Sequence, residues 1–197
     1  MRRINVARAS IGGTLLILAA AGCAAKRGAQ VTFHEPNMDF SLVHTVAVMP
    51  FANMSTAQAA DKRVRDVFMT MLQATGQIYV LPMGEVQRGL NRVELQNPTA
   101  PSAQDVVALA KVLSCDAVIT GSVLEYGEAR SGSAAANYVS LSVQMLEATG
   151  GKLVWSAQST RGGVSGADRM FGGGGQPMNV VTADVVNDLL DKLFAAK

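Results

Sequence analysis

Cysteine and histidine are nearly absent: the 197 residues contain two of each. No C-x-x-C pair and no His/Cys cluster with metal-ligand spacing exists, so a zinc site or a disulfide scaffold has nothing to build on. His44 precedes a strand-like run and reads as a surface residue, and neither it nor His34 has ligand-type neighbours in sequence. No metal and no cofactor is expected. Catalytic signatures are missing too: there is no G-x-S-x-G elbow, no H-E-x-x-H helix and no spaced pair of acids in an apolar setting. Glycines 172–175 precede Gln176-Pro177. A phosphate loop would instead continue into Lys and Ser/Thr, so these glycines read as a flexible connector. Asp184, Asp188 and Asp191 recur along a helical stretch and read as its solvated face. These absences argue against an enzyme.

Long apolar runs are scarce as well. The longest, from Ile11 to Ala25, is broken by Gly and Thr and follows a head bearing Arg2, Arg3 and Arg8 without any acid. Roughly 20 apolar residues are needed to span a bilayer, so this layout reads as a secretory signal peptide over residues 1–22. Two cleavage readings stand side by side. Ala19-Ala20-Ala21 fits ordinary signal peptidase, releasing a chain that starts near Gly22. Alternatively, Ala20-Ala21-Gly22-Cys23 resembles the lipobox of bacterial lipoproteins, with Ala20 where that family favours Leu. This resemblance implies cleavage between Gly22 and Cys23 and acyl chains of the palmitate type on Cys23. Each buried CH2 then adds about 0.8 kcal/mol to membrane anchoring. Cys115 is left without a partner and is expected to pack in the core as a small apolar residue.

Positive charge is also in short supply once the leader is removed. Seventeen basic residues become 14 against 15 acidic ones, a net charge near −1. No basic stripe remains to neutralise phosphates, so nucleic acid is not an expected partner.

What is present is a single domain's worth of amphipathic elements. Residues 23–42 read as a tether and extended lead-in, and residues 43–197 as the domain. "HTVAVMPF" is a continuous apolar strand of the kind covered on both faces. In the following helix Val64, Phe68, Met71 and Leu72 share one side, with Ser55 or Thr56 available as the N-cap and Gly76 at its end. "IYVLP" reads as a strand, and the stretches with Val86-Leu90-Val93 and Val106-Leu109-Ala110-Leu113 as helices, the second preceded by Ser102. "DAVITGSVLEYG" is a strand. "NYVSLSVQMLEAT" alternates Val139, Leu141, Val143 and Met145 against Ser140, Ser142, Gln144 and Leu146, a half-buried strand. Thr149-Gly150-Gly151 supplies a hairpin turn, and "KLVWSAQ" returns with Trp155 on a face shared with Leu153 and Ala157, expected to be buried against a helix. Val181, Val185, Leu189 and Leu193 line a closing helix. The order β-α-β-α-α-β-β-β-α predicts an α/β domain with a mixed β-sheet flanked by helices.

"HTVAVMPFANMS", "IYVLPMGEV", "LAKVLSCDAVITGSVLEYG" and "LEATGGKLVWSA", in this order, resemble the CsgG-like bacterial lipoprotein superfamily. That group includes the TolB amino-terminal-like lipoproteins and the lipoprotein activators of penicillin-binding proteins. "PNMDFS" is most similar to a TolB-like branch without settled function. The resemblance implies a TolB amino-terminal-like fold. It also implies lipid anchoring on the periplasmic side of the outer membrane, an envelope protein as partner, and a capacity for homo-oligomerisation. Two functions follow from it: a non-catalytic adaptor or activator in envelope assembly, transport or peptidoglycan synthesis, or a subunit of a CsgG-like secretion complex. The second needs membrane strands of about 9–11 residues. Residues 127–136 and 165–178, the candidate insertions, are too short and do not alternate, so the adaptor is the expected role.

Overall fold

The computed structural model describes residues 31–164, 170 and 175–195. The strands are β1 (Thr32–His34), β2 (Thr45–Val48), β3 (Ala52–Asn53), β4 (Tyr79–Val80), β5 (Ala117–Ser131), β6 (Ala134–Glu147) and β7 (Leu153–Gly162). The helices are α1 (Ala60–Ala74), α2 (Met83–Arg92), α3 (Ala103–Leu113) and α4 (Met178–Phe194). The sheet runs β1-β7-β6-β5-β2-β4, with β3 beside β5. β2 is parallel to β4 and β5, whereas β5-β6-β7-β1 is an antiparallel meander. The molecule is thus the mixed α/β sheet the hydrophobic pattern predicts, in the predicted order, with β1 and β3 added.

Helices lie on both faces. Val46, Val48, Ile119, Leu141, Val143, Met145 and Trp155 pack toward α1 and α4 through Val64, Phe68, Leu72, Val181, Val185 and Leu189. Ala47, Met49 and Val118 face α2 and α3, through Val86, Leu90, Val106 and Leu109. This is why residues 46–49 form an unbroken apolar run: both sides of β2 are covered. Cys115 belongs to the second core, as expected, and burial pushes its thiol up to about 11.

Three local readings are revised, and the lead-in gains detail. α1 is not capped by Ser55 or Thr56. Ala59 at its N-cap adopts a left-handed conformation (φ 55°) with no side-chain cap. Ser55 instead donates its hydroxyl to Asn53 Oδ1 and accepts the Ala57 amide, shaping the loop rather than the helix. The lead-in contributes β1, which pairs with β7, and Phe40 and Val43 enter the core. Residues 127–136 are not an insertion but the end of the β5–β6 hairpin, paired as far as Ser131 and Ala134. Cross-strand hydrogen bonding outweighs the poor strand propensity of Gly, Ala and Ser there. Of residues 165–178, only 170 and 175–178 are described. Finally, Leu153 does not share the burial of Trp155 and Ala157: a register shift between Met145 and Leu146 leaves it half exposed.

Candidate functional site

Residues Gly22 and Cys23, and glycines 172–174, lie outside the described residues. His34 and His44 are not brought together with further ligands, and no group of three or more His, Cys, Asp or Glu side chains with metal-binding geometry occurs among the described residues. His34 is part of the fold: Nε2 lies 3.1 Å from the Lys192 carbonyl, and the ring packs edge-on against Phe40 and tilted against Trp155. No described helix is long and apolar enough to cross a membrane.

Asp188 departs from the solvated-face reading. It stands seven residues after Val181 and three after Val185, at the edge of the apolar stripe rather than opposite it. Its carboxylate accepts from Arg161 on β7 and, at 2.7 Å, from Lys192 one turn on. Lys192 also donates to the Gln158 carbonyl at 2.9 Å. Burial opposes ionisation of Asp188, but the hydrogen bonds and the charges of Lys192 and Arg161 outweigh it and hold the carboxyl below the usual carboxylate range. The cluster fastens α4 to the meander.

The feature most open to a partner is one half of a sheet face. The second helical layer covers β2, the start of β5 and the end of β6 around Leu146. Beyond it, among the described residues, no helix covers the surface opposite α4 that runs from the middle of β6 across β7 to β1. Strand alternation and pairing place Thr120, Ser122, Ser140, Ser142, Gln144, Ser156, Gln158 and Thr160 there, six hydroxyls and two amides, of which Thr120 and Ser140 are buried; the exposed carboxylate of Glu125 stands opposite Ser140. Ser140 and Thr160 bond one another across strands at 2.8 Å. Near the β1 edge the surface turns apolar: Phe33 pairs with Ser156, and the Val31 carbonyl accepts the Gln158 main-chain N–H. Both are exposed. The linker residues Thr99, Ala100 and Pro101 wall a groove of about 270 Å³ over the other end. The polar half of this surface was legible as the Ser140-Ser142-Gln144 alternation. That no described helix packs on it was not.

Arg65 carries no motif that singles it out in the sequence. It is buried, and its Nη2 donates to the Val48 carbonyl at 2.5 Å. Its sequence signal is its spacing: it precedes Phe68 by three and Leu72 by seven, which places it on the buried stripe of α1. Burial lowers its affinity for a proton, and the neighbouring Asp66 charge partly restores it.

The family described as curli production assembly/transport component CsgG matches residues 38–168. No curated protein matches the chain. Among solved structures, a PelC dodecamer from Paraburkholderia phytofirmans is 17% identical, with a TM-score of 0.56, covering 84% of this chain and 98% of its own. The lipoprotein GNA1162 from Neisseria meningitidis is 19% identical, with a TM-score of 0.53, covering 75% of this chain and 99% of its own. At these identities the two neighbours speak for the fold.

Proposed function

The chain belongs to the CsgG family of curli production assembly/transport components, and from that premise we propose that it is a non-catalytic adaptor, lipid-anchored at the periplasmic side of the outer membrane. It docks an envelope protein through the bare β6-β7-β1 surface. The observation that carries this reading is that surface itself. It is rich in hydroxyls and amides, carries a carboxylate, Glu125, on its β5 side, and has exposed Phe33 and Val31 at one edge. Such a face offers a partner many hydrogen bonds with little charge to bury, the usual character of a wet, non-obligate interface. The leader and Gly22-Cys23 support the anchored location.

A photo-crosslinker placed at Ser142 or Gln158 in intact cells tests the docking surface, with Glu85 on the far side of α2 as the control. The expected result is one discrete adduct from the sheet positions and none from Glu85. Adducts formed equally at all three positions, or at none, would end this reading.

The second reading, a subunit of a CsgG-like secretion complex, is favoured by the family match and by the β5–β6 hairpin. That hairpin runs past the last β6–β7 pair, Tyr138 with Gly162, for the four residues Glu128–Ser131 of β5. A membrane strand needs about 9–11 residues. Heat-resistant rings in detergent together with discrete conductances would establish this second reading in place of the adaptor.

A further inference from the structure

At the carboxyl ends of β2 and β4 the chain changes sides. β2 leads through Pro50 and Phe51 to α1 on the face of the main core, while the neighbouring parallel strand β4 leads through Leu81 and Pro82 to α2 on the opposite face. Adjacent parallel strands whose connections diverge leave a crevice between them, and in open α/β sheets this is where ligands bind. The crevice exists here, at about 320 Å³. Its apolar walls are Pro50, Phe51 and Met83, and Phe51 is held in place, since its ring sits directly over Gly121 and packs against Phe68 at 5.8 Å.

Arg65 lines the same crevice and is short of partners. Its Nε is buried without an acceptor, and among the described residues no carboxylate lies within ion-pairing distance of it. A buried guanidinium satisfied only by a main-chain carbonyl is costly unless an anion completes it. The first turns of α1 and α2, through Asp61, Lys62 and Met83, border the space as well, adding the positive ends of two helix dipoles.

We propose that this crevice binds a carboxylate carried on a small apolar body, with Arg65 taking the carboxylate and Pro50, Phe51 and Met83 enclosing the apolar part. The guanidinium fork matches a planar, singly charged carboxylate. Asp61 and Asp66 at the rim offset Lys62 and disfavour a doubly charged phosphate. The volume, at the low end for ligand pockets, suits a body the size of one aliphatic side chain. Two sources share this chemistry: the C-terminal residue of a polypeptide, and a free branched-chain carboxylic acid.

Calorimetric titration of the full-length protein in detergent micelles tests the proposal. The probes are a short acetylated peptide ending in a leucine carboxylate, its C-terminal amide, and isovalerate. The peptide acid is expected to bind at least about tenfold more tightly than the amide, because a site built for an anion rejects the neutral analogue. Arg65→Gln should abolish the difference between acid and amide. Met83→Glu alters an exposed helix position and leaves Arg65 in place. It should weaken the acid by a similar factor through like-charge repulsion. Isovalerate binding as tightly as the peptide identifies the free acid as the source, and a peptide at least about tenfold tighter identifies a chain terminus. Acid and amide binding alike, Met83→Glu binding the acid as well as the parent does, or no heat up to about 10 mM ligand would overturn the proposal.

Discussion

Trp155 occupies the middle of the main core between β7 and α4, fully buried and in ring contact with His34. Truncating it to Ala removes the largest buried side chain and leaves a void that neighbouring strands cannot close. Trp155→Ala is expected to cost about 3–5 kcal/mol in a denaturant melt. Native fluorescence of the parent should be blue-shifted relative to free tryptophan. Asp188 makes a different kind of contribution. Its carboxyl ionises more readily in the folded chain than in the unfolded one, so the stabilisation is present above the unfolded carboxylate range. It is lost as pH falls through the lower folded value. Asp188→Asn should therefore lower the Tm at pH 7, and the gap from the parent should close as the pH is taken toward 2. A gap that stays constant across this range would mean that the ion cluster does not act through charge.

At the level of elements, turns and caps decide how the two layers meet. Ser102 and Asp105 form a full capping box, with the Ser102 side chain accepting the Asp105 amide and the Asp105 carboxylate accepting the Ser102 amide. This is the one helix start whose cap was visible in the sequence. The turn from β6 to β7 leans on that same helix end. Gly151 holds φ +67°, and a Cβ there would lie 2.3 Å from the Ala103 carbonyl oxygen. Gly151→Ala thus combines a left-handed backbone with a clash against main chain. It should cost more than about 2 kcal/mol, measured as a shift in denaturant midpoint. Glu147 accepts the amides of Thr149 and Gly150 at 2.6 and 2.7 Å, so the turn is organised by one carboxylate as well as by glycine.

At the scale of the whole molecule, the position of β1 sets how far the domain can stand from an anchor. Counting from Ala24, eight residues precede Thr32, the first residue of the sheet. They reach at most about 26–29 Å. With Cys23 acylated, the domain would be held close to the membrane surface, and a partner would have to come to that layer. Cys23→Ser should abolish incorporation of labelled fatty acid. A chain lacking residues 1–23 should fold, remain in solution without detergent and show no conductance in planar bilayers. Equal labelling of parent and variant would rule out the anchor, and channel activity would replace the adaptor with the secretion reading.

The sequence by itself determined the elements whose signal is local. Val46–Met49 reads as a strand buried on both faces because four apolar residues run without a break, and α4 reads as a helix because Val181, Val185, Leu189 and Leu193 recur at its period. The order of these elements follows from the same patterns, while the family rests on a resemblance of particular stretches that the family match bears out. The leader and Cys23 rest on composition alone. Only the tertiary structure decided what depends on partners distant in the chain. The ladder between residues 127–131 and 134–138 gains its hydrogen bonds from pairing, not from the propensities of Gly, Ala and Ser. Asp188 moves from a solvated face to an ion cluster because β7 brings Arg161 beside it. Arg65 becomes a buried, half-satisfied cation because the divergence of two parallel strands opens a crevice at its side. A one-dimensional pattern records which face of an element is apolar. It does not record where another element stops short and leaves that face, or that charge, without a neighbour.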